Sequence, residues 1–220
     1  LESSHFPAWD TLSYDSFTPS LEIQGKRLQT LHNILVNDSF DVAMSMKSFT
    51  QKIFFNDLEV IDLQVSQEVD FENLIENLTY LGYANKDRVE SRGTFSIRGG
   101  QIDIYPLNSE YPARIIFNGD EVAELKLFDY ISQRSIKNIT KVLITPSTEL
   151  FQTNQEDIYK SLEIESKKDL DEYELFQFSQ NLENFKTLLD FVPDELSINI
   201  IDFNVCKEIF SEIQKIEEDS

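Results

Sequence analysis

Two tight-turn signals set close together constrain this chain more than any other feature. Gly99-Gly100 separates the strand-like runs Phe95–Arg98 and Gln101–Tyr105, and Asn118-Gly119 separates Arg114–Phe117 from Glu121–Phe128. Two-residue hairpin loops need positive φ, which glycine and asparagine adopt at low cost. Two such hairpins joined through Pro106–Pro112 predict a curved antiparallel sheet. Upstream, Phe71, Leu74, Ile75, Leu78 and Leu81 recur at helical spacing, with Asp70 placed to cap the helix and Gly82 to stop it. Leu58–Val65 reads as a strand before that helix. The stretch 58–146 is therefore expected to be an α+β unit built on antiparallel hairpins and one helix.

The flanks read differently. Across 1–57, Pro7, Trp9 and Pro19 punctuate an extended opening, and Ile23, Leu28, Leu31 and Leu35 predict a helix over 22–36. Asp41–Met46 reads as a short buried strand and Ser48–Ile53 as a short helical segment. Trp9 and Tyr14 are assigned to packing. Across 147–220, the acidic stretch 155–176 carries no assignment. Phe185, Leu188, Leu189 and Val192 predict a short helix, Ser197–Phe203 a strand, and Val205, Ile209, Phe210, Ile213 and Ile216 an amphipathic helix. The expected organisation is an incomplete α/β flanking domain, 1–57 and 147–220, with the α+β unit inserted. The chain opens on Leu1 rather than Met, which points to a piece of a longer protein.

Charge narrows the partners. The 220 residues carry 40 Asp and Glu against 19 Lys and Arg, a net charge of -21. Affinity for nucleic acid rests on cations that displace counterions from phosphates, so this balance opposes a DNA-binding role. Five arginines nevertheless gather in the middle stretch: Arg88, Arg92, Arg98, Arg114 and Arg134. Hydrophobic residues make up 40% of the chain, enough for a packed core, and no apolar run approaches a membrane span. A single cysteine, Cys206, excludes an internal disulfide and leads to the expectation of a reducing, cytoplasmic setting.

Catalytic signatures are missing. The chain has no phosphate-binding G-x-x-x-x-G-K-[ST] loop, no H-E-x-x-H, no C-x-x-C and no G-x-S-x-G. Gly25-Lys26-Arg27 resembles the end of a phosphate loop but lacks its upstream glycine and its hydroxyl. The expectation is a non-enzymatic fragment with no cofactor and no metal.

Three ordered segments carry a family resemblance. The first is Phe6-Pro-Ala-Trp-Asp-Thr-Leu-Ser-Tyr-Asp15 with Phe17, Pro19 and the helix containing Arg27-Leu28. The second is Leu81-Gly-Tyr83, Val89-Glu90, Gly93 and Phe95-Ser-Ile-Arg-Gly-Gly-Gln-Ile-Asp-Ile-Tyr-Pro106. The third is Ser109-Glu-Tyr-Pro-Ala-Arg114, Gly119-Asp-Glu121, Leu127-Phe-Asp129 and Ser132-Gln-Arg-Ser135. Together they resemble the UvrB-like module of bacterial transcription-repair-coupling factors. The resemblance is nearly continuous to about residue 150 and resumes around Thr187–Asp194.

The resemblance implies that the inserted domain docks UvrA, the damage-recognition subunit of nucleotide-excision repair. It also implies that the flanking domain is a degenerate helicase core, and that RNA polymerase and DNA are met by other parts of the full-length ATP-driven translocase. The residues that match the family's UvrA contacts are Arg98 and Arg114, with Phe117 as a weaker candidate. The family often has an aromatic at the position occupied here by Asn118. Arginine suits docking because its planar fork donates two parallel hydrogen bonds to a carboxylate. The competing reading is that each arginine solvates a sheet face or pairs internally, for example with Asp103. Alternative functions are a UvrB-type helicase fragment contacting damaged DNA, or a purely structural domain.

Overall fold

The computed structural model describes residues 3–11, 17–53, 58–149, 186–192 and 197–218. The acidic stretch 155–176, Tyr14 and Phe185 lie outside these residues.

Residues 61–144 form a six-stranded sheet with one helix and a two-stranded ladder on its inner face. Strand β3 (Ile61–Gln64) leads into helix α3 (Phe71–Tyr80), followed by β4 (Ala84–Asn85), β5 (Thr94–Ile97), β6 (Gln101–Ile104), β7 (Ala113–Asn118), β8 (Glu121–Phe128), β9 (Ser135–Ile139) and β10 (Lys141–Ile144). The six strands β4 to β9 lie side by side in chain order, antiparallel except for the β4–β5 pair, while β10 pairs antiparallel with β3. Asp70 caps α3 by accepting the Asn73 amide at 2.7 Å. Gly82 ends the helix with φ 83°, a conformation that a Cβ would disfavour.

Both hairpins form, with a correction to the second. Arg98 and Gln101 exchange backbone hydrogen bonds of 2.9 and 3.2 Å across Gly99-Gly100. In the second, Asn118 itself pairs with Glu121, so the loop residues are Gly119-Asp120 rather than Asn118-Gly119. Gly119 carries the positive φ at the first loop position (63°), the demand of a type II′ turn. A β-bulge follows farther from the turn: Ile116 faces Glu124 while Phe117 faces Val122, which leaves Ala123 as the extra residue of β8.

Alternation along the strands sorts the two faces. Phe95, Ile102, Ile104, Ala113, Ile115, Val122 and Leu125 point inward and pack with Leu74, Leu78 and Leu81 of the helix region, with Leu63 of β3 and with Val142 and Ile144 of β10. Burying a large aliphatic side chain contributes about 1.5–3 kcal/mol, so this cluster holds the unit together.

The flank begins with a strand–helix–strand unit. β1 (Ser3–Phe6) and β2 (Asp41–Met44) pair in parallel, with α1 (Leu21–Val36) between them in sequence and α2 (Met46–Thr50) following. A second core forms from Phe6, Leu28, Leu31, Ile34, Ile53, Leu107 and Leu188. Because Leu107 belongs to the inserted stretch, this core ties the two parts together. The observed content is mixed α/β with antiparallel sheets and few helices.

Of the expectations for the last stretch, the strand over Ser197–Phe203 fails and the short helix before it is found. Residues 197–202 form no strand; Ile198, Ile200 and Ile201 are exposed and helix α4 (Phe203–Glu218) starts directly after them. Four apolar residues in the seven of Ser197–Phe203 resemble a buried strand, but no described neighbour supplies a ladder for them. The short helix is a 3-10 helix, Leu188–Phe191, with the Asp190 carboxylate accepting the Thr187 amide at 2.7 Å.

Candidate functional site

The outer face of the six-stranded sheet carries the arginines. Register places Ser96, Asp103, Arg114, Lys126 and Asn138 in one row across β5 to β9. The next row runs Arg98, Gln101, Ile116 and Glu124. Arg98 and Arg114 therefore share one face, as strand alternation requires for residues so registered.

The two arginines are held differently. Arg114 donates Nε to Asp103 Oδ1 and Nη2 to Asp103 Oδ2, both at 2.8 Å, and its guanidinium stacks over Phe128 at 4.7 Å from the ring centroid. Asp103 is buried and also accepts from Gln101 Nε2 at 3.0 Å. The hydrogen bonds that Arg114 donates to Asp103 push its pKa above the usual value, so its charge is permanent. The internal pairing considered for Arg114 is thus present, yet the side chain stays 16% exposed. The pairing acts as a splint that fixes the plane of the fork.

Arg98 lies at the tip of the first hairpin and is exposed. Its Nη2 donates to the Asp87 carbonyl at 2.9 Å, which pins the loop after β4 beside the sheet. A backbone carbonyl orients the guanidinium without neutralising it.

Phe117 points the other way. It packs edge-on against Phe71 with centroids 5.1 Å apart and lies against the inner core. The structure therefore separates it from the two arginines, because adjacent residues of a strand face opposite sides. Asn118, by the same alternation, falls on the outer face and is exposed.

Sequence reasoning did not pick out Gln101, Lys126 or Phe128. Lys126 stands opposite Arg114 and its Nζ contacts Glu124 Oε2 at 2.6 Å. Counting by twos from Arg114 and then across the hairpin would have found it, once the bulge was known.

The Gly25-Lys26-Arg27 string has a packing role. A Cβ on Gly25 would stand 2.2 Å from the Leu107 carbonyl oxygen, so helix and inserted stretch touch backbone to backbone. Lys26 pairs with Glu22 on the surface at 2.7 Å. Arg27 is buried; its Nε reaches both Glu149 carboxylate oxygens at 2.8 and 2.9 Å, and its Nη1 donates to the Pro7 carbonyl at 3.0 Å. The Phe6 and Trp9 rings flank the same guanidinium at 4.2 and 4.9 Å, and the Trp9 indole donates to Glu149 at 3.0 Å. Burial lowers the Arg27 pKa, and Glu149 opposes that shift. Among the described residues, no cluster of three or more His, Cys, Asp or Glu could hold a metal, and no helix is long and apolar enough to cross a membrane.

Comparison with known proteins finds relatives for the stretch that builds this face. Residues 61–150 match the UvrB interaction domain. The chain is 32% identical over 142 residues to the transcription-repair-coupling factor of Mycobacterium tuberculosis, an alignment covering 60% of this chain and 12% of that protein. It is 29% identical over 144 residues to the factor of Escherichia coli, covering 64% of this chain and 12% of that protein. The UvrABC system protein B of Thermosipho africanus is 34% identical over 108 residues, covering 49% of this chain and 16% of that protein. The chain thus spans about an eighth of the length of the coupling factors it matches. The stretch that builds the sheet and its two arginines matches the UvrB interaction domain, in a chain similar to transcription-repair-coupling factors.

Proposed function

We propose that the outer sheet face docks UvrA and so recruits nucleotide-excision repair to stalled RNA polymerase. The carrying observation is that the stretch matched to the UvrB interaction domain presents an exposed, pre-oriented Arg98 on the same face as the splinted Arg114. In a chain of net charge -21, that face offers guanidinium groups to a partner's carboxylates. The role is docking without catalysis, and it needs no cofactor in this stretch. Polymerase binding and ATP-driven movement on DNA belong, in this reading, to other parts of a longer protein. The strand–helix–strand flank is the remnant of a helicase-like domain that carries the docking unit.

The test is calorimetric titration of the chain with purified UvrA. Arg98→Glu is the clean variant, since Arg98 is exposed and its described hydrogen bond goes to a backbone carbonyl. It should weaken binding at least ~10-fold at unchanged melting temperature, a loss typical of an interface anchor. Arg114→Glu would set a second carboxylate against buried Asp103 and perturb the fold. Arg114→Lys is the informative change, because it keeps the charge and loses the fork. A folded parent that does not bind UvrA, or an Arg98→Glu variant that binds like the parent, refutes the proposal.

A further inference from the structure

We infer that Ile116 is the apolar anchor of this docking surface, and that the complementary partner surface sets an apolar side chain between carboxylates. The inference rests on the docking reading above. Ile116 is half-buried on the outer face, in the row Arg98–Gln101–Ile116–Glu124 and one row from Arg114. Its inward-facing neighbours Ile115 and Phe117 belong to the inner core, whereas Ile116 joins none of the apolar clusters among the described residues.

The surroundings leave Ile116 open to a partner. Gly99 and Gly100 form the hairpin tip beside it, with the Gly100 carbonyl accepting the Phe117 amide at 2.8 Å. A Cβ on Gly99 would meet nothing within 4 Å, so among the described residues no side chain covers the tip at Gly99. Around this apolar point stand the cations Arg98, Arg114 and Lys126. Arg114 and Lys126 are already engaged in part by Asp103 and Glu124, while the described hydrogen bond of Arg98 is to a carbonyl. Interfaces draw affinity from a desolvated apolar centre ringed by polar contacts, and this face has that arrangement. Asn118 lies two residues from Ile116 along the same strand face, so either position can present an apolar group to the same partner.

The experiment titrates UvrA into the intact chain, its Ile116→Ser variant and the double variant Ile116→Ser with Asn118→Phe, with melting temperature and salt dependence measured for each. Ile116→Ser is expected to weaken binding about 10-fold while leaving the melting temperature and the salt dependence unchanged. Arg98→Ala should flatten the salt dependence, which separates apolar from ionic contributions. The double variant should recover most of the lost affinity by moving the anchor two residues along the face. If the parent binds and Ile116→Ser binds equally well, the anchor role is overturned and the docking reading stands. If Ile116→Ser weakens binding but the double variant recovers nothing at equal stability, an apolar anchor shared by the two positions is overturned. A folded parent that fails to bind overturns both.

Discussion

Replacing Glu149 by alanine tests how the two parts of the chain are joined. The wild-type carboxylate accepts both contacts from Arg27 Nε and the Trp9 indole hydrogen, and it is 2% exposed. Without it, the guanidinium keeps, among the described residues, the Pro7 carbonyl at 3.0 Å and Gln51 Oε1 at 3.3 Å, with two flanking rings. Removing one partner of a buried ion pair leaves an uncompensated charge and costs about 3–5 kcal/mol. For a chain of this size, 1 kcal/mol moves the melting temperature by roughly 2–4 °C, so the transition containing α1 should fall by roughly 6–20 °C. Circular dichroism during heating, repeated under urea, measures the shift. The paired replacement Arg27→Met with Glu149→Leu should recover most of the loss, because it removes both charges and fills similar volume. A Glu149→Ala variant within about 1 kcal/mol of the parent, or a double variant no better than the single, would refute the claim that this ion pair is a buried joint.

Four further outcomes follow from the packing. Gly25→Ala should destabilise the protein although alanine favours a helix by about 1 kcal/mol, since its Cβ would meet the Leu107 carbonyl at 2.2 Å; equilibrium unfolding gives the sign. Asp103→Ala should cost about 2–4 kcal/mol by freeing Arg114 and Gln101, and it should weaken UvrA binding beyond what Asp103→Asn does; unfolding and calorimetry together separate the two effects. Phe117→Ala should cost about 3–4 kcal/mol by emptying its place against Phe71, with UvrA affinity near the parent's for the fraction that stays folded. Tyr83 is buried and donates to the Thr145 carbonyl at 2.8 Å, and burial pushes its hydroxyl pKa well above 10. Above about pH 10 the unfolded chain releases that proton while the folded one retains it, so stability falls as pH rises. Tyr83→Phe should remove that part of the alkaline loss, as unfolding at pH 9 and pH 11 would show.

What could be read from the sequence follows the range of the interactions involved. Helix α1 extends over Leu21–Val36 and α3 over Phe71–Tyr80, where periodicity and caps place them, because both signals are local. The hairpin around Gly99-Gly100 is equally local. The second hairpin shows the limit: an Asn-Gly pair favours a loop at 118–119, but Asn118 pairs with Glu121, leaving Gly119-Asp120 as the loop, and a bulge at Ala123 shifts the register beyond it. Strands β9 and β10 were not anticipated, since Ser135–Ile139 is exposed and polar apart from its isoleucines and gains its conformation from β8. Ser197–Phe203 shows the reverse error, an apolar run without a ladder to join.

The sequence by itself pointed to two arginines in one antiparallel sheet, where they could share a face. Turn chemistry and alternation of period two sort the faces within each hairpin locally, whereas the common face of Arg98 and Arg114 depends on how β6 of one hairpin pairs with β7 of the other. Only the tertiary structure decided what each arginine is free to do. Asp103 takes the Arg114 fork because β6–β7 register sets them opposite one another, whereas Arg98 reaches a backbone carbonyl eleven positions earlier in the chain. It also decided that Phe117 packs against the inner core, that Ile116 lies on the outer face between Gln101 and Glu124, and that Arg27 meets Glu149 across 122 residues. Such pairings depend on register and on long-range packing, and the identity of a residue carries no record of which distant group will lie beside it.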